Sequence, residues 1–414
     1  MADSLLSNLR ALDLTDEKGF VCGKVLAVLG VDVLEVEPPG GYPARRIPPL
    51  SRGADGLEQS LYWLAFNSDK RGITLNVETS RGQALFRQLV EKTDFVIESF
   101  PPGYLDGIGL GYQSLERINP KIIMVSITPF GQKGPYSHYK ACDLIISAMS
   151  GVLGDTGEPD RPPVKEALNS TYFEGGSAAA LGAVIAYYHR EMAGEGQHVD
   201  VSLQHVAASR DLTAPNILEF DKQLLKRTGN KGQVGGRRAF RWLWPCKDGH
   251  LFWALRGGHI GVRINETLSR WLDEEGLENP YKGIADLAQL DVATFSEETR
   301  AVFEGAVEKL FLRYTRREIT EKALSSNAQA WPVNNTAEVL KNPQLAARNY
   351  WQDLSLLGSG ITFRSPRHFF LSSETENYIR RRAPTVGEHN NEVYGQELGL
   401  SETEITTLKE TGVI

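Results

Sequence analysis

Along its first 200 residues the chain repeats one pattern: a short apolar run, a turn, then a stretch with helical spacing or helix-forming composition. Five runs, "ALDLT" (11–15), "VDVLEVE" (31–37), "ITLNV" (73–77), "DFVIESF" (94–100) and "IIMVSIT" (122–128), predict buried strands. Between them, "CGKVLAVLG" (22–30), "SRGQALFRQLVEK" (80–92) and "YQSLERIN" (112–119) predict helices. Strand–helix alternation predicts an α/β fold, a parallel sheet with helices on its faces. Ligands in such folds sit beyond the carboxyl ends of the strands. "VEPPGG", "ESFPPG" and "TPFGQKGP" all follow strands, so they are expected to share one rim. No GxGxxG follows the first strand, which argues against a nicotinamide or flavin cofactor.

The pattern changes near residue 205. The stretch 222–258, "KQLLKRTGNKGQVGGRRAFRWLWPCKDGHLFWALRGG", is basic, glycine-rich and aromatic, and leads into strand-like "HLFWAL". Residues 260–328 read as helical and charged, and the segment after them as a return to the first kind of surface. The expected organisation is a large domain over 1–205, a smaller inserted α+β domain over 206–328, and a linker with a return to the large domain over 329–414.

Composition narrows the classes. At 414 residues the chain is too long for one ordinary core. With 41% hydrophobic and 23% charged residues it reads as soluble and globular. A net charge of −7 argues against general nucleic-acid binding. No apolar run approaches the roughly 20 residues of a membrane span, and the N-terminus lacks the features of a signal peptide. Cys22, Cys142 and Cys246 are far apart without CxxC spacing, which predicts buried thiols in a reducing cytoplasm. No HxxxH or HExxH occurs, so no metal site is expected, and His205, His259 and His389 stand isolated.

Six segments in order carry a resemblance: "LAVLGVDVLEVEPPGG" (26–41), "FNSDKRGITLNVETSRGQALFRQLVEKTDFVIESFPPG" (66–103), "GLGYQSLERINPKIIMVSITPFGQKGP" (109–135), "CDLIISAMSGVLGDTGEPDRPPVK" (142–165), "GEGQHVDVSL" (194–203) and "LGLSETEITTLKETGVI" (398–414). Together they resemble the class III CoA-transferase family (CaiB/BaiF type), which includes the α-methylacyl-CoA racemases. The resemblance implies a Rossmann-like large domain built from both chain ends, an inserted small domain, and dimers of two interlocked ring-like chains. It implies a reaction that moves CoA between carboxylic acids, with CoA or acyl-CoA as substrate and no covalently bound cofactor. An aspartate attacks the thioester and passes through an anhydride and an aspartyl-CoA thioester.

By the resemblance, that aspartate lies four residues before a glycine opening the helix within "NSTYFEGGSAAALGAVIAYYHR" (169–190), and ungapped counting places Tyr172 there. A phenol titrates near 10 and is protonated at neutral pH. Glu174 is the fallback carboxylate, though two residues along; its other reading is an interaction with the N-terminus of the following helix. Lys18, Leu75, Ser99, Phe100, Tyr104, Lys140 and Asp143 are the CoA- or substrate-binding positions the resemblance implies, with Lys140 also readable as a solvated lysine and Asp143 as a structural acceptor. Glu17 and Lys18 fall near the expected adenine edge. Gly107 stands where many relatives carry a basic residue, and Cys142 where the racemase branch carries its histidine. Arg237, Arg238 and Arg241 lie near the family's mobile glycine loop and suit carboxylate or phosphate recognition, or form a surface or subunit contact.

Three readings follow. The chain is a non-catalytic subunit whose paralogous partner carries the aspartate, with the two-gene succinyl-CoA:benzylsuccinate arrangement as the nearest pattern, suggested by "LTDEKGFVCGK". Alternatively it is a self-sufficient transferase or racemase using Glu174 or Asp143. A third reading is a CoA-ester-binding module without chemistry. No nucleic-acid or membrane partner is expected.

Overall fold

Every other residue of the predicted strands faces the same way, and that alternation separates two apolar cores. In the computed structural model, which describes residues 4–52, 58–210, 212–232, 240–326, 328–355 and 362–414, six strands form one parallel sheet. They are β1 (Arg10–Leu14), β2 (Asp32–Glu37), β3 (Arg71–Thr74), β4 (Phe95–Glu98), β5 (Ile123–Thr128) and β6 (Gln197–Ser202). Their spatial order is β3-β2-β1-β4-β5-β6, the doubly wound Rossmann-like order. The chain reverses direction of travel between β1 and β4, so the crevice beyond their carboxyl ends is the natural ligand position.

Leu12, Leu34, Val96 and Met124 point to one face, packed by α3 (Ser80–Val90) and by Val393, Tyr394, Ile405 and Leu408 near the C-terminus. Ala11, Val33, Phe95, Ile97 and Val125 point to the other face, under α1 (Phe20–Val28) and α7 (Ser170–Ala193). Strand β3 is shorter than the run 73–77 predicts. It ends at Thr74, because the Asn76 amide turns to the Val413 carbonyl at 2.7 Å. The edge of β3 is then closed by the tail: Thr74 N–H donates to Asn390, Tyr394 Oη donates to the Thr74 carbonyl, and Gly72 N–H donates to His389 Nδ1. Covering an edge strand removes a template for aggregation.

Beneath the sheet's rim lies a fully buried charge cluster. Asp13 and Glu35 are register partners on β1 and β2, whose backbones run about 4.8 Å apart, so the two side chains are neighbours. Lys70 Nζ lies 2.6 Å from Asp13 and 2.9 Å from Glu35, and donates also to Asn67 of α2 (Leu61–Asn67) at 2.9 Å. Burial alone would lower the lysine's pKa, but Asp13 and Glu35 hold it above its ordinary value. Burial and then the neighbouring Asp13 push Glu35 well up.

The chain divides into two compact units: residues 1–152, 166–210 and 343–414, and residues 153–165 with 211–342. The second holds a three-stranded antiparallel sheet, β7 (Leu243–Cys246), β8 (Gly249–Phe252) and β9 (Trp331–Pro332). Helices α9 (Gly258–Glu274), α10 (Glu297–Phe311) and α11 (Arg316–Ser326) share its core with Trp244 and Trp253. Arg241 is tied to Glu308 at 2.7 Å and lies over the Trp244 ring, while Arg237 and Arg238 fall outside the described residues. Cys22 and Cys246 are buried, but Cys142 is exposed, a correction that follows from its place just ahead of α6 (Asp143–Met149). Among the described residues no helix is long and apolar enough to cross a membrane.

Replacing Lys70 by Met leaves two adjacent carboxylates buried without a cation, and should lower the unfolding free energy by about 3–5 kcal/mol. Urea denaturation at pH 7 measures it. A loss below about 1 kcal/mol would mean that the carboxylates are neutralised by other means.

Candidate functional site

The loops after β1, β4 and β5 meet where the winding reverses. Leu14, Asp16, Glu17 and Lys18 from the first, Ser99 to Pro102 from the second, and Pro129 with Ser137 to Ala141 from the third line a cleft of about 570 Å³. A neighbouring hollow of about 390 Å³ shares Leu14, Tyr42 and Phe100 with it and adds Leu75 and Tyr104. Six of the seven implied binding positions, Lys18, Leu75, Ser99, Phe100, Tyr104 and Lys140, are thus brought to two adjoining clefts; Asp143 lines neither.

Local geometry holds this rim in place. The Ser99 hydroxyl donates to Asp16 Oδ1 and accepts the Asp16 amide, both at 2.9 Å, bridging the loops after β1 and β4. Lys18 pairs with the other Asp16 oxygen. Phe100 and Tyr104 stack with centroids 4.7 Å apart, a flat apolar surface beside the second hollow. Asp16 and Glu17 balance Lys18 and the exposed Lys140 in the larger cleft, so its charge gives little net attraction for phosphate. Gly107, in α4 (Tyr104–Gly107), adds no side chain there.

Tyr172 and Glu174 occupy different settings. The sequence suggests a turn ahead of Gly176, but α7 already begins at Ser170, so both residues lie inside the helix. The glycines serve packing instead. A Cβ on Gly176 would stand 2.7 Å from Val21 Cβ and 3.1 Å from the Cys22 amide, and one on Gly175 2.0 Å from Leu203 Cδ2. Two bare positions let α7 press against α1 and α8 (Leu203–Ala208). Tyr172, Gly176, Ala179, Ala183 and Ala186 form the inward stripe, and Tyr172 is 4% exposed within that core. Burial, with the Glu17 carboxylate next, pushes its phenol well above the ordinary tyrosine value, so it is neutral throughout the physiological range.

The first turn of α7 is fastened by Asp143. Its Oδ1 accepts both the Thr171 amide at 3.0 Å and the Thr171 hydroxyl at 2.7 Å. Glu174, half-buried, does not sit ahead of the helix as a charge at its N-terminus. It faces Arg210 at 3.7 Å, while Arg210 itself clasps Glu166 through two bonds of 2.6 Å. Burial raises the Glu174 pKa and Arg210 opposes the shift.

One polar group was not singled out from the sequence. Glu98, at the end of β4, accepts the Phe100 amide at 2.7 Å, and Ser126 of β5 contacts His198 Nε2 of β6 at 2.8 Å. They line a third hollow of about 530 Å³ beside the cleft, with Pro101, Pro102 and His138 in both. Polar residues inside the apolar runs "DFVIESF" and "IIMVSIT" were the available signal.

Replacing Asp143 by Ala should cost about 1–3 kcal/mol, since the Thr171 donors at a buried helix start lose their acceptor. Equilibrium unfolding of the pure chain measures this, and a change within 0.5 kcal/mol would refute the anchoring role.

The family model for CoA-transferase family III matches residues 6–390. Succinyl-CoA:(R)-benzylsuccinate CoA-transferase subunit BbsE of Thauera aromatica is 34% identical over 416 residues, covering 99% of this chain and 98% of its own. Succinate–glutarate CoA-transferase of Agrobacterium fabrum is 30% identical over 410 residues, covering 94% and 95%. Among solved structures, a CaiB/BaiF family protein from Brucella suis matches with a TM-score of 0.82 at 27% identity, over 95% of this chain and 99% of that one.

Proposed function

This chain belongs to CoA-transferase family III, and from that premise we propose that it is the subunit of a two-chain CoA-transferase that lacks the attacking carboxylate. A paralogous partner supplies the aspartate. The observation that carries the reading is Tyr172: a buried phenol, neutral at every physiological pH, stands where the family resemblance places the nucleophile. A neutral phenol cannot attack a thioester as a carboxylate does, and no anhydride can form on it. Glu174 is a poor substitute, because it lies half a turn further along the helix and faces Arg210. Misplacement by even about 1 Å costs about 100-fold in such reactions.

In the partner, a carboxylate oxygen attacks the acyl-CoA carbonyl and CoA leaves as the thiolate, giving a mixed anhydride. The thiolate then attacks the aspartyl carbonyl and releases the donor acid, leaving an aspartyl-CoA thioester. The acceptor's carboxylate attacks that thioester and expels the thiolate, giving a second anhydride; the thiolate then attacks the acceptor's carbonyl, forming the new acyl-CoA and freeing the aspartate carboxylate. Succinyl-CoA as donor and an aromatic dicarboxylate such as benzylsuccinate as acceptor fit the relative from Thauera aromatica. The two clefts lined by Lys18, Leu75, Ser99, Phe100, Tyr104 and Lys140 are then where CoA or its ester is held.

A second feature favours a partner. Leu181, Ile185, Tyr188 and Met192 recur at helical spacing along the outer side of α7, each between 58% and 66% exposed. Four large apolar side chains in one stripe are costly in water and are what a partner chain covers.

The test is reconstitution. Alone, the chain should transfer CoA from succinyl-CoA to benzylsuccinate at least 1,000-fold more slowly than with its partner. Within the complex, Tyr172→Phe and Glu174→Gln should leave the rate within twofold, while asparagine at the partner's aspartate abolishes it. Full activity of the isolated chain that disappears in Glu174→Gln would establish the self-sufficient reading instead.

A further inference from the structure

The geometry points to a second ligand site in the hollow over β4, β5 and β6, one that takes a small organic cation, an alkylammonium or alkylguanidinium, with its head on Glu98. The inference stands on this hollow alone and does not depend on the role of Tyr172.

The floor is polar. Glu98 is 4% exposed, and its Oε2 accepts the Phe100 amide. Ser126, register partner of Glu98 on the next strand, stands beside it and tempers the rise in its pKa. The Ser126 hydroxyl is hydrogen-bonded to His198 Nε2 at 2.8 Å. An ionised carboxylate offers about four acceptor positions, of which the Phe100 amide takes one. The remaining ones suit an incoming N–H donor.

The charges around the hollow choose the sign of that donor. Asp106 lines the wall, and Asp200 on β6 sits behind it, accepting the Gln132 amide at 3.0 and 3.1 Å. Both act on Glu98 and on His198. Among the described residues, the exposed Lys133 is the one lysine or arginine lining the hollow, and His138 stands where it adjoins the larger cleft. Burial lowers the His198 pKa, so the ring is neutral at pH 7 and above. A carboxylate ligand would meet more negative charge than positive, whereas a cation meets a prepared acceptor. Pro101, Leu105 and Met124 supply apolar wall for an alkyl stem. Tyr112, stacked on His198 with centroids 5.6 Å apart, offers a ring face for the charged end. At about 530 Å³ the hollow falls in the usual range for small-molecule sites.

Burial holds the Glu98 pKa at about 7, within reach of physiological change. A cation needs Glu98 ionised, and one unit below that value about nine-tenths of it is protonated. Affinity should therefore fall as pH falls, and protonation of His198 acts in the same direction.

The experiment is calorimetric titration of the full chain with n-butylammonium, n-butylguanidinium and butyrate at pH 8 and pH 6. Expected is one saturable site for the cations at pH 8, about 10-fold weaker at pH 6, with no butyrate binding there. Glu98→Gln, which keeps the shape, should remove the site and its pH dependence while leaving the urea midpoint unchanged. If that variant proves unstable, Asp106→Asn, on the wall, should weaken cation binding at pH 8 several-fold with the pH trend intact. Butyrate binding as tightly as the cations, or cation affinity that rises as pH falls, overturns the inference. So does unaltered cation binding by a folded Glu98→Gln variant, or by Asp106→Asn where that variant is used.

Discussion

The sheet is built around Lys70, a cation with no exposed surface. Asp13 and Glu35 stand side by side on neighbouring strands, fully buried, a placement that would repel without Lys70 between them. Strand β1 carries Leu14 and the Asp16–Lys18 loop directly into the large cleft, and β2 leads to Tyr42 in the same wall. The position of the cleft therefore rests on a cluster that lines neither the cleft nor the two hollows beside it. Even α1 is shaped by it: a Cβ on Gly23 would stand 2.0 Å from an Asp13 carboxylate oxygen.

Much of this organisation is legible in the chain. Alternating apolar runs mark the strands, and the Pro- and Gly-rich turns after them mark the rim that becomes the cleft. Lys70 is not legible, because "SDKRG" reads as an ordinary polar turn; only the register of β1 with β2 gives its charge a task. Asp143 and Thr171 are likewise distant in sequence and joined by packing. The start of α7 is misread for a related reason. Gly175 and Gly176 suggest an opening to the helix, but their lack of a side chain serves the close approach of α1 and α8. The Ser126–His198 contact spans 72 residues and appears only when the strand order places β5 beside β6.

Two carboxylates near the rim illustrate how setting decides chemistry. Glu174 and Glu98 both titrate above the ordinary glutamate range, and burial is the leading cause for each. The first, inside α7, is opposed by a guanidinium, which keeps it a salt-bridge partner. The second accepts one backbone amide, and no ion pair opposes its shift among the described residues, so burial sets it.

The closure of β3 by the tail has a consequence in time. Gly72 and His389, which form one of its hydrogen bonds, are 317 residues apart. At roughly 5–20 residues per second of synthesis, the strand waits on the order of 15–60 s on the ribosome before its covering segment exists. During that interval the bonds that the tail makes to Gly72 and Thr74 cannot form.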